Sequence, residues 1–196
     1  MLKNNTNSSS CIRIVVSGSE CTGKTTLVKE LAAVFRIKYS TEGARDYVNN
    51  LGRPIEYRDV ESIAQQQIGI EDKLGAGNSQ MILLDTDLFS TLIYSNFYFG
   101  KCPDWIKPLC IARRADLYLL CEIDLPWIEQ QFQRGHSTPN TRQNIHNLFV
   151  EELKKNSCNI LRIYGQGSER LKQAIFAIHR NIDDQNNKVD QCQKSS

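Results

Sequence analysis

Residues 18–25 read Gly-Ser-Glu-Cys-Thr-Gly-Lys-Thr, which fits the spacing G-x-x-x-x-G-K-[ST] without a mismatch. A polyphosphate carries closely spaced negative charge, so a loop that binds one needs many donors and a backbone that can come close. Gly18 and Gly23 allow that approach and the dihedrals it requires. The amides of Glu20, Cys21, Thr22, Gly23, Lys24 and Thr25 would face the phosphates, with Thr26 completing the first turn of a helix whose positive end points the same way. Lys24 would place its charge on the β and γ phosphates, and the Thr25 hydroxyl would ligate Mg²⁺. The expected ligand is a magnesium-bound nucleoside triphosphate.

Further polar residues sit where phosphoryl transfer needs them. Asp85 closes the apolar run "MILLD", and a carboxylate there would bind the magnesium directly or through water. Asp87 follows in "DTD", either as a second acid at the acceptor or as the cap of the next helix. In "STEGARDYV" (40–48), Glu42 is placed to take a proton from an acceptor hydroxyl or to anchor its sugar. Arg45 in the same stretch either neutralises substrate charge or pairs with Asp46 on the surface. Arg134 and Arg142 flank a segment rich in Gly, Ser, Thr, Pro and Asn, the composition of a lid that could carry arginines onto a γ-phosphate. The base is left as a choice between Glu42 and Asp87.

These residues need a scaffold. "IRIVVS" (12–17), "MILLD" (81–85), "DLYLLCEI" (116–123) and "NILRIY" (159–164) are short, nearly continuous apolar runs, as in strands covered on both faces. "KYST" (38–41) supplies a fifth. Helical patterns follow at 24–36, 59–74, 88–99, 141–156 and 168–182, the last opening on Ser168 and Glu169. Strand and helix in alternation predict a three-layer α/β domain around a parallel five-stranded sheet with right-handed crossovers. The domain is expected over residues 11–182, between polar, aperiodic tails at 1–10 and 183–196.

Composition narrows the function classes. The chain has 196 residues and a formal charge of +2 from 24 basic and 22 acidic side chains, interspersed, so neither nucleic acid nor a membrane surface is an expected partner. The chain contains no run approaching the ~20 apolar residues of a spanning helix, and "MLKNNTNSSS" lacks the apolar core of a secretory signal. Seven cysteines, scattered and in no CxxC pair, read as reduced thiols, and the cytoplasm is the expected compartment.

Taken together, "GSECTGKTTL", "EGARDYV", "LLDTDLFST", "LLCEIDLPWIEQQFQRG" and "IYGQGSERLKQAI" resemble the ribosylnicotinamide kinase domain of NadR-type proteins, over about residues 11–180. The resemblance implies a nucleoside-monophosphate-kinase-like P-loop fold with a small lid. It also implies Mg-ATP as donor and the 5′-hydroxyl of nicotinamide riboside as acceptor. The aromatic pair that clamps the nicotinamide ring in that family falls here on Thr41 and Ile70, which leaves Tyr39, Tyr47, Tyr94 and Tyr98 either to stack in its place or to serve the core. A regulatory ATPase or GTPase, hydrolysing slowly for a protein partner, is the competing class.

Overall fold

The computed structural model describes residues 11–41, 47, 50–77, 79–126 and 138–194. Its sheet contains β1 (Ile12–Ser17), β2 (Tyr39–Ser40), β3 (Met81–Asp85), β4 (Leu117–Cys121) and β5 (Ile160–Ile163), in the order β2-β3-β1-β4-β5. Every pairing is parallel. Helices described include α1 (Lys24–Phe35), α2 (Val60–Gly75), α3 (Leu88–Phe99), α4 (Ile106–Ala112), α5 (Pro139–Lys155) and α6 (Ser168–Lys194), with a 3₁₀ turn at Tyr57–Asp59 before α2.

The apolar runs are continuous because the sheet is covered twice. Successive side chains of a strand point to opposite faces. Thus Val15 joins Leu84 and Tyr118 beneath Phe89 of α3 and Phe149 of α5, while Ile14 and Val16 join Leu83 and Leu119 beneath Leu31 of α1 and Ala174 of α6. Each fully buried Phe, such as Phe89 and Phe149, contributes about 1.5–3 kcal/mol of apolar burial. This is the expected three-layer α/β arrangement.

β1 lies at the centre, with β3 on one side and β4 on the other. Open parallel sheets present a crevice beyond the carboxyl ends of such strands, and the loops leaving β1, β3 and β4 all converge there.

Three elements differ from the sequence reading. α4 was not expected, because Pro103 and Pro108 break its pattern; Pro108 in fact lies in the first turn, where no intrahelical N–H donor is needed. The helix expected from 141 starts at Pro139, because Thr138 accepts a hydrogen bond from the Thr141 amide and proline suits the first helical position. The segment 183–196, expected to be an aperiodic tail, continues α6 as far as Lys194, since it carries neither Gly nor Pro to end the helix.

Candidate active site

The turn after β1 is shaped by close backbone approach. Gly18 has φ +133, and a Cβ there would stand 2.8 Å from the Cys121 carbonyl of β4. Gly23 has φ +76, and a Cβ would meet the Leu125 side chain at 2.9 Å. Cys21 is also left-handed, at φ +55. Thr22 Oγ1 and Lys24 Nζ both donate to the Ser19 carbonyl, at 2.8 and 2.7 Å, and close the loop on itself.

Two buried arginines brace the loop from outside by holding its carbonyls. Arg142, 4% exposed in the first turn of α5, donates to the Cys21 carbonyl and to the Leu125 carbonyl, each at 3.1 Å. Arg170 of α6 donates to the Thr22, Glu122 and Gly165 carbonyls and to the Asp124 carboxylate. A carbonyl held outward turns the neighbouring amides inward, the orientation an anion needs. Arg142 was expected as a lid arginine; here it is a fixed strut behind the loop.

Arg170 was missed because its partners lie far off along the chain, up to 148 residues away. Arg170→Met should lower the unfolding free energy by about 3 kcal/mol or more, since each buried carbonyl left without a donor costs about 1–3 kcal/mol. It should also raise KM for Mg-ATP more than KM for the acceptor, a split that chemical denaturation and initial-rate kinetics together would reveal.

Thr25 Oγ1 donates to Asp85 Oδ2 at 2.7 Å. The register Val16↔Asp85 sets the carboxylate beside the loop, and the Asp85 amide donates to Ser40 Oγ of β2 at 3.0 Å. This hydroxyl–carboxylate pair is a donor set suited to Mg²⁺, whose remaining ligands are usually water and phosphate oxygens. Among the described residues no three His, Cys, Asp or Glu side chains gather elsewhere to hold a metal. A backbone cradle that any Cβ would obstruct, the buried Ser19 Oγ without a partner among the described residues, and the Thr25–Asp85 pair fit a magnesium-bound triphosphate.

Beside this loop, between α2, α3 and residues 54–55, lies a pocket of about 270 Å³. Val60, Ile63 and Phe99 make much of its apolar wall, and Tyr94 and Tyr98 stand on the α3 side with rings stacked at 6.2 Å and 7°. Tyr94 OH donates to Glu20 of the phosphate loop at 2.7 Å, which links the two sites. Thr41 and Ile70 do not line the pocket, whereas Tyr94 and Tyr98 do.

Asp87 lies on the pocket wall and also caps α3. Its Oδ1 accepts from the Phe89 amide at 3.1 Å and its Oδ2 from Tyr118 OH at 2.8 Å. Burial, and then the charge of Glu71, pushes its carboxyl up to about 7, against those two hydrogen bonds. The two expectations for Asp87, cap and pocket acid, therefore fall on the same side chain. Glu42, Arg45 and Arg134 lie outside the described residues.

The 54–55 edge of the pocket is held by Asp59. Arg53 grips it with both ends of its guanidinium, at 2.7 and 2.8 Å, and the Glu56 amide donates to it at 2.8 Å. The Arg53 hydrogen bonds hold the Asp59 carboxyl down at about 2, below its ordinary 3.8. The native state therefore binds fewer protons than the unfolded one in this window, and the resulting stability is complete above about pH 4 and lost as pH falls through about 2. Melting curves of the parent and Asp59→Asn should converge over that interval; a constant separation would assign the acid sensitivity to other groups.

A family model described as AAA domain matches residues 13–170. The trifunctional NAD biosynthesis/regulator protein NadR of Escherichia coli (strain K12) is 29% identical over 154 residues, which is 76% of this chain and 37% of that protein. The chain thus spans little more than a third of the length of this curated relative. A solved structure of NadR protein in complex with NR superposes with a TM-score of 0.74 at 23% identity, over 88% of this chain and 51% of the other. Thymidylate kinase from Ehrlichia chaffeensis superposes at 0.65 with 15% identity, over 87% and 99%. Both share the fold.

Proposed function

Because this chain belongs to the AAA domain family, whose model spans residues 13–170, we propose that it transfers the γ-phosphate of Mg-ATP to a hydroxyl of a nucleoside-like alcohol, nicotinamide riboside foremost. The observation that carries this reading is adjacency. The loop with Lys24, Thr25 and Asp85 opens beside an apolar pocket of about 270 Å³ that has Asp87 on its wall and Tyr94 in contact with both. A protein that only hydrolyses a triphosphate needs no such second pocket. The similarity to NadR and the shared fold of a thymidylate kinase support the same reaction class.

The roles follow from placement. The loop amides and Lys24 orient the triphosphate and oppose the charge that develops on it. Thr25 and Asp85 would hold Mg²⁺, which when bound neutralises phosphate charge. Arg142 and Arg170 keep the loop amides turned inward. In the pocket, the apolar walls exclude water that would otherwise compete with the acceptor hydroxyl. Asp87 and Glu42 are the two carboxylates proposed to orient that hydroxyl or take its proton, with Arg45 proposed for substrate charge and Arg134 for the γ-phosphate.

The proposed compartment is the cytoplasm. Cys11, Cys21, Cys102, Cys110, Cys121 and Cys158 are free thiols, and no helix among the described residues is long and apolar enough to cross a membrane.

A coupled assay of ADP release over a panel of nucleosides, sugars and vitamins tests the proposal. Nicotinamide riboside should raise turnover well above the rate with Mg-ATP alone. If no acceptor does so, the regulatory nucleotide hydrolase is the better account.

A further inference from the structure

Gln67 is 3% exposed and lies on the face of α2 that also carries Val60 and Ile63, all three lining the pocket. Its Nε2 donates to Glu71 Oε1 at 3.1 Å and to the Thr86 carbonyl at 3.2 Å. A carbonyl can only accept, and the Glu71 carboxylate accepts on its other oxygen from Arg13 at 2.8 Å and Arg113 at 3.1 Å, which holds its Oε1 facing Gln67. The amide therefore has one orientation, because flipping it would set its oxygen against two acceptors at once. The carbonyl oxygen Oε1 is left with no hydrogen bond among the described residues. A buried, doubly braced carboxylate thus fixes the direction of an unused acceptor on the pocket wall; Ser90 Oγ also lacks a partner among the described residues, but a hydroxyl can turn to donate or accept.

We propose that Gln67 Oε1 is a specificity-determining acceptor that reads an N–H donor on the ring of the phosphate-accepting substrate. This rests on the kinase reading above. For nicotinamide riboside the donor is the carboxamide. The ring is assigned to the part of the wall made by Val60 and Ile63 on the helix of Gln67 and by Tyr94 and Tyr98 on α3, and the sugar to the polar side chains of Asp87, Ser90 and Thr91 that line the same pocket. Apolar and aromatic walls suit the faces of a flat ring, whereas ribose hydroxyls need the polar partners that Asp87, Ser90 and Thr91 offer. A carboxylate or ketone in place of the amide offers lone pairs only and would leave Oε1 unpaired in a desolvated site. The arrangement selects the amide over the acid.

The test compares kcat/KM for nicotinamide riboside, nicotinic acid riboside and 3-acetylpyridine riboside, with 2′- and 3′-deoxy nicotinamide ribosides as the sugar arm. Loss of the N–H donor should lower kcat/KM by on the order of 10- to 100-fold, mainly through KM. Gln67→Met should weaken use of the amide by a similar factor and collapse the amide-to-ketone ratio toward one, with KM for Mg-ATP held. If Gln67→Met does not fold, Glu71→Gln removes the fixed carboxylate that orients Gln67 and should narrow the same ratio; the analogue series on the parent protein needs no variant. Equal use of amide and ketone by the parent overturns the assignment, as does a Gln67→Met variant in which only the deoxy-sugar discrimination changes. If no riboside consumes ATP in the parent, the kinase reading itself has failed; if all three rings are used alike, only the role of Gln67 has.

Discussion

Lys24→Ala should lower acceptor-dependent ADP formation by on the order of 10²-fold or more and leave the fold intact. Lys24 is nearly buried, and its ammonium donates to the Ser19 carbonyl. That carbonyl also accepts from Thr22 Oγ1 at 2.8 Å, so truncating the lysine leaves it with a partner and the loop with its closing contact. The glycine geometry and the two arginine struts are untouched. What disappears is the positive charge opposite the phosphates, where it acts most strongly as charge moves toward the leaving oxygen. The change should therefore be seen in kcat/KM, while the melting temperature stays within a few degrees of the parent. A folded Lys24→Ala protein with near-parental turnover would remove the basis for placing the triphosphate in this loop.

Asp85→Asn should act through the metal. The carboxylate is 1% exposed, accepts from Thr25 Oγ1 and is fixed by its backbone amide on Ser40. The amide variant keeps the size and one acceptor oxygen but loses the charge that favours a divalent ion. The magnesium concentration for half-maximal rate should rise by about tenfold or more, with a smaller effect when the assay is saturated with the ion. An unchanged magnesium titration would move the metal ligand elsewhere. The two variants thus separate the phosphate charge from the metal charge, although their side chains belong to adjoining elements.

The phosphate loop was legible because all of its chemistry is local. Eight consecutive residues, Gly18 to Thr25, carry the glycines, the lysine and the hydroxyl, and the structure changes none of those positions. The position of Asp85 beside the loop was legible for a related reason, since the apolar strand it closes runs next to β1. The sheet could be read from strands such as Ile12–Ser17 and Met81–Asp85, whose burial on both faces leaves an uninterrupted apolar run. The bracing around the site could not. Arg142 reaches Cys21 across 121 residues and Arg13 reaches Glu71 across 58, and no periodicity records such a pairing. Gln67 and Glu71 sit on an α2 face that otherwise reads as apolar, so polar residues there signal a buried network only once Thr86 and the two arginines are seen beside them. α4 was hidden by its prolines, and the extent of α6 by a polar composition that favours no structure strongly but forbids none.

The central claim is that the γ-phosphate leaves the loop for a hydroxyl in the neighbouring pocket rather than for water. The most direct measurement follows label from γ-³²P-ATP, with magnesium and nicotinamide riboside present, into products separated by ion-exchange chromatography. The account predicts label in a riboside monophosphate, in proportion to the ADP formed and abolished by Lys24→Ala. Label found only as inorganic phosphate, at a rate indifferent to the riboside, would contradict it.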